Sequence, residues 1–70
     1  MVEVFKTNID DKTQATQLRA ELLELFPNTR INFDLQDCDR ILRIESAEHI
    51  AAEIERAVLG KGFWCEVLEG

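Results

Sequence analysis

The 70-residue chain has three glycines, one proline, two cysteines and one histidine. So little glycine and proline leaves no linker, repeat or low-complexity stretch, and the sequence reads as a single domain spanning residues 1–70. Basic residues are scarce as well. Eight Lys and Arg stand against fourteen Asp and Glu, a net charge of -6. Proteins that bind nucleic acid displace counterions with a basic surface, and anionic membranes ask for the same. No Lys/Arg cluster here exceeds a pair, so neither nucleic acid nor membrane is an expected partner. No apolar run approaches the roughly 18 residues of a spanning helix. The stretch Met1-Val2-Glu3-Val4-Phe5-Lys6 lacks the basic start, long apolar run and cleavage site of a signal peptide. The expected location is therefore the cytoplasm, where Cys38 and Cys65 read as two free thiols. No Gly-rich phosphate loop is present. The single His49 has no serine or cysteine placed by sequence as its nucleophile. An enzyme is accordingly not expected, and no cofactor is implied.

What the chain does have is core-forming material. Hydrophobic residues make up 46% and charged residues 31%, a globular mixture and not a disordered one. A domain this small buries only about 60% of its unfolded surface, so its core has to be economical. Met1 to Asn8, rich in Val2, Val4, Phe5 and Thr7, reads as a first strand. Asp11 to Phe26 reads as a helix, with Ala15, Leu18, Leu22, Leu25 and Phe26 on one stripe. Asp11 is a good N-cap, with Gln14 three residues on as a capping box asks, and Pro27-Asn28 ends the helix. Thr29 to Gln36 alternates cleanly, with Ile31, Phe33 and Leu35 on one side and Asn32 and Asp34 on the other. A turn at Asp37-Cys38-Asp39 leads into a hairpin partner, Arg40 to Glu45, with Leu42 and Ile44 on one face and Ile41 and Arg43 on the other. Ser46 is the expected cap of a second helix whose buried stripe is Ile50, Ile54, Ala57 and Val58, with Gly60 as its stop. Phe63 to Leu68 is the last strand.

The order βαββαβ, with antiparallel strands and both helices on one face, is that of an α+β ferredoxin-like sandwich. The expected strand order across the sheet is 4-1-3-2, which leaves one sheet face open to water.

Over nearly its whole length the chain also resembles a known family. The segment Val4-Phe5-Lys6-Thr7-Asn8-Ile9-Asp10-Asp11-Lys12-Thr13-Gln14 looks like the first strand and metal loop of heavy-metal-associated domains, the small modules of copper chaperones and of P-type ATPase N-termini. Ile31-Asn32-Phe33-Asp34-Leu35 is similar to that family's second strand and Ile41-Leu42-Arg43-Ile44-Glu45 to its third. Gly62-Phe63 is similar to its Gly-aromatic pair before the last strand. The resemblance implies the same βαββαβ fold. It stops at the metal loop, where the family carries Cys-x-x-Cys and this chain has Asp11 and Gln14. Cu(I) and Zn(II) in such loops want soft thiolates; a carboxylate and an amide offer hard oxygen. The resemblance therefore carries over the fold and not metal transport.

Other constellations have simpler readings. Cys38 in the turn and Cys65 in the core side of the last strand lie too far apart in depth to share an ion. Asp34, Asp37 and Asp39 lack the glycine and the ligand number of a calcium loop and read as a solvated acidic turn. His49, beside Glu45 and Glu48, reads as a surface residue. An RNA-recognition surface would need aromatic residues on the central strands, where Ile41 and Arg43 stand. An acylphosphatase site would need an arginine in the loop from Asn8 to Lys12. The feature that points to a function is the open sheet face. There Val4, Ile41, Trp64 and Leu68 are expected to face outward and form an apolar patch. The expectation is a non-catalytic binding module without metal ligands, acting on a protein partner or on a second copy of itself. The alternative is a carrier of a metal ion or small ligand through non-standard ligands such as Cys38, Asp37 and Asp39.

Overall fold

Alternation between buried and exposed side chains organises the strands. In Val2–Thr7 (β1), Glu3, Phe5 and Thr7 are buried, while Val2 and Lys6 are exposed and Val4 is half-buried. The computed structural model describes residues 1–35 and 40–68. Beyond β1 the elements are Lys12–Leu25 (α1), Arg30–Asp34 (β2), Ile41–Glu45 (β3), Ala51–Gly60 (α2) and Cys65–Leu68 (β4). They build one antiparallel four-stranded sheet in the order β2-β3-β1-β4, which is the expected 4-1-3-2 read from the other edge. The molecule is a ferredoxin-like α+β sandwich.

The register fixes which residues share a face. Phe5 lies opposite Leu42 and Val67, Ile44 opposite Glu3 and Ile31, and Thr7 opposite Cys65. These residues turn to the helices. Ala15, Leu18 and Leu22 of α1 and Ala51, Ile54 and Val58 of α2 meet them in one core cluster, together with Ile9 from the β1–α1 loop. Each fully buried large apolar side chain contributes roughly 1.5–3 kcal/mol. Leu25, expected on the α1 stripe, is instead exposed, because the helix ends there and Phe26 takes up the packing against the core.

Both ends of α2 depart from the sequence reading. Ser46 does not cap it. The Ser46 amide donates to the Met1 carbonyl, continuing the β1–β3 ladder, and its hydroxyl donates to the Glu48 carbonyl. The hydroxyl is thus spent inside the connector, and α2 begins only at Ala51, with Ile50 in the cap position and no side-chain cap. Gly60 does not stop the helix either; it is the last helical residue. The stop is Gly62, at φ +90°. Its amide donates to the Leu59 carbonyl and the Phe63 amide donates to the Val58 carbonyl. That pair of bonds around a left-handed glycine is a Schellman motif, and it turns Phe63 back onto the core. The expected turn at Asp37-Cys38-Asp39 and the expected end of β2 at Gln36 lie outside the described residues.

Candidate functional site

The loop from β1 to α1 occupies the place of the metal loop in the family resemblance. Ile9, just before it, is fully buried and pins the loop to the core. Asp11 has extended backbone angles, φ -113° and ψ 124°, and its Oδ1 accepts a hydrogen bond from the Thr13 amide at 2.7 Å. It is therefore an N-cap that acts on the second helical residue. Gln14 is exposed and lies beside Gln17, Glu21 and Lys61. Buried Thr7 holds the other side of the loop. Its hydroxyl donates to the Arg40 carbonyl at 2.6 Å and accepts from the Ile9 amide at 3.2 Å. Among the described residues, no group of three His, Cys, Asp or Glu side chains converges in a way that would hold a metal ion.

Cys65 faces the core, as expected, at 4% exposure. Burial, with the Glu55 charge adding to it, pushes its thiol up from 9.0 to about 11. It is a small apolar core residue that resists ionisation. Cys38, Asp37 and Asp39 lie outside the described residues.

His49 stands differently from its sequence reading. It is exposed, but its Nδ1 lies 2.5 Å from Oε1 of Glu3, a residue only 8% exposed. Neither carboxylate oxygen of Glu3 accepts a hydrogen bond. The contact ties the segment before α2 to β1. Sequence reasoning missed Glu3. The available signal was its place in the β1 alternation, where it shares a face with Phe5 and Thr7. It also missed Arg19, whose Nε donates to the Ile31 carbonyl at 2.7 Å. Arg19 crosses from α1 to the edge strand β2 and occupies one acceptor that an incoming strand would use. Below it runs an open groove of about 570 Å³ whose charged lining mixes Asp10, Lys12, Arg19 and Asp34. Lining of both signs with no dominant polar centre gives that groove no defined ligand.

The open sheet face is where the four expected contact residues lie. Val4 and Leu68 are direct cross-strand neighbours. Ile41 sits diagonally from Val4, one register step along, between Lys6 of β1 and Asp34 of β2. It is only 8% exposed, so its neighbours cover it and it offers little area to a partner. Trp64 precedes β4. Its amide donates to Asn8 Oδ1 at 2.9 Å and its carbonyl accepts from the Asn8 amide at 3.3 Å. Alternation along β4 puts Trp64, Glu66 and Leu68 on the same side. Trp64 and Leu68 therefore lie at two ends of the face with the opposed pair Lys6 and Glu66 between them. The structure brings Val4 and Leu68 together, buries Ile41, and separates Trp64 from the rest.

The class defined by this fold is a ferredoxin-like domain. No family model matches the chain, and no curated protein matches it. Among solved structures it is similar to that of a gold binding protein, with a TM-score of 0.81 and 19% sequence identity, over 94% of this chain and 98% of that one. At that identity the likeness is one of fold. No helix among the described residues is long and apolar enough to cross a membrane.

Proposed function

We propose that this chain is a non-catalytic protein-binding module, a relative of the heavy-metal-associated domains that has kept their fold without their thiolate loop. The observation that carries the reading is Asp11. It stands where the first loop thiolate would stand, and its side chain is already used to cap α1. With the loop given over to stability, the working surface is the uncovered sheet face. The exposed large hydrophobic residues Val2 and Leu68 belong to it by alternation along β1 and β4, and exposed Trp64 stands just before β4. Trp is favoured at the centres of protein contacts. The binding needs no catalytic group and no cofactor, and it suits a cytoplasmic chain.

The test is photo-crosslinking in cells that express the protein. A photoreactive residue placed at Leu68 or Arg43 is expected to yield covalent protein adducts, and one placed at Thr16 or Arg56 on the helix side is expected to yield none. Adducts confined to the helix side would overturn the reading.

The second reading is a metal-ion carrier, and what favours it is the fold shared with a gold binding protein. It requires ligands outside the first loop, and Cys38 with Asp37 and Asp39 is the available set. Alkylation of the cysteines separates the two. A carrier loses metal uptake on alkylation, whereas a protein-binding module keeps its crosslinks.

A further inference from the structure

The open face differs from the rest of the molecule in charge. Among the described residues six ionisable side chains stand on it, all exposed: Lys6, Arg30 and Arg43, and Asp34, Glu45 and Glu66. They balance to zero, so the remaining sequence carries the whole net charge of -6. Two of the acids sit directly opposite bases within the sheet, Glu45 across from Arg30 and Glu66 across from Lys6. Two copies of an acidic protein repel on average through the rest of their surface. Through this face they meet with no net charge on either side.

We infer that the partner of the open face is a second copy of this chain; the inference rests on the reading of that face as a protein contact. The register suggests the pairing. The residues form three rows across the strands: Arg30, Glu45 and Val2; then Asn32, Arg43, Val4 and Leu68; then Asp34, Ile41, Lys6 and Glu66. An isologous dimer repeats one patch on both subunits about a two-fold axis. With the axis along the middle row, the first row of one copy lies over the third row of the other. Arg30 then meets Asp34 twice, and Val4 and Leu68 meet their own copies at the centre. Arg43 also meets its copy, each guanidinium having Glu45 two residues on along the same strand face.

The area sets the strength. Four strands of about five residues span roughly 19 by 17 Å. The two copies together bury less than about 1,200 Å², the range of weak and transient association. Dissociation is expected at roughly 0.1 mM.

The experiment is sedimentation equilibrium of the full chain in reducing buffer from 10 µM to 1 mM. The wild type is expected to pass from monomer to dimer across that range. Arg30→Glu and Asp34→Lys, each alone, are expected to weaken the dimer at least tenfold, since each sets like charges against each other twice. An equimolar mixture of the two is expected to associate again, because both crossed pairs become opposite in sign. Leu68→Lys is a second disruption that does not depend on the charge pairs, and circular dichroism checks that every variant is folded. A wild type that stays monomeric at 1 mM overturns the inference. So does a dimer that all three variants leave intact. Photo-crosslinks from Leu68 to a different protein, alongside a monomeric wild type, would leave the face a protein contact and remove only the second copy.

Discussion

The buried carboxylate of Glu3 is held by the exposed imidazole of His49, Nδ1 to Oε1 at 2.5 Å, and neither of its oxygens accepts a hydrogen bond. A buried acid with a single exposed partner is vulnerable from one side only. Removing the partner leaves the acid stranded, whereas removing the acid frees a surface residue. His49→Ala should therefore destabilise the fold by about 1–3 kcal/mol, the usual cost of an uncompensated buried polar group. Glu3→Leu should be close to neutral or stabilising, as apolar replacements of buried ionic groups often are. In the double variant the His49 effect should vanish. Urea unfolding of the four proteins checks the cycle.

Asp11→Ala should lower stability by about 1 kcal/mol, the ordinary worth of an N-cap. The Thr13 amide would lose its acceptor at 2.7 Å, and the urea midpoint would fall with little change in slope. Asp11→Asn should recover most of the loss, since the amide oxygen can still accept.

Cys65 predicts a pH dependence. Its thiol is pushed up from 9.0 to about 11 by burial and by the Glu55 charge. Between those values the unfolded chain has lost the proton and the folded chain keeps it. Stability thus falls as pH rises through this window, by about 2–3 kcal/mol in all. The difference between wild type and Cys65→Ala, measured by urea unfolding across the window, isolates this contribution from other groups. At neutral pH the folded protein should protect Cys65 from alkylation, which peptide mapping would show.

Trp64→Ala and Leu68→Lys should leave the far-ultraviolet circular dichroism close to native, because 41% and 38% of these residues are exposed. Leu68→Lys should weaken association through the sheet face. Trp64, the single tryptophan, lies beyond the paired rows, so its emission should hold its wavelength with rising concentration. A shift to shorter wavelength would place the contact over Trp64 instead.

The element order, the strand order and the facing of each strand were legible because period-two alternation in short strands admits one register that buries Phe5, Leu42 and Ile44 together. The same logic put Cys65 in the core. The ends of α2 were less legible. Ser46 has the side chain of a cap, but pairing of its backbone with Met1 decides its conformation. Gly60 and Gly62 both look like stops, and only the hydrogen bonds around Phe63 separate them. On the open sheet face, alternation gives the side on which Val4, Ile41 and Leu68 stand, but not how they are spaced or covered. The breadth of the Lys6–Glu66 row and the burial of Ile41 follow from cross-strand register, which no single segment encodes. Glu3 and His49 are distant in sequence, and their contact exists only once β1 and the connector before α2 are packed.

The central claim is that the loop after β1 caps a helix and holds no soft metal. The most direct measurement is an amide NMR spectrum of labelled protein titrated with Cu(I), then Zn(II), in reducing buffer. The account predicts that the signals of residues 10–14 stay in place through one equivalent of either metal. Stoichiometric shifts at those residues, or at Cys38 and Cys65, would contradict it and make the chain an ion carrier.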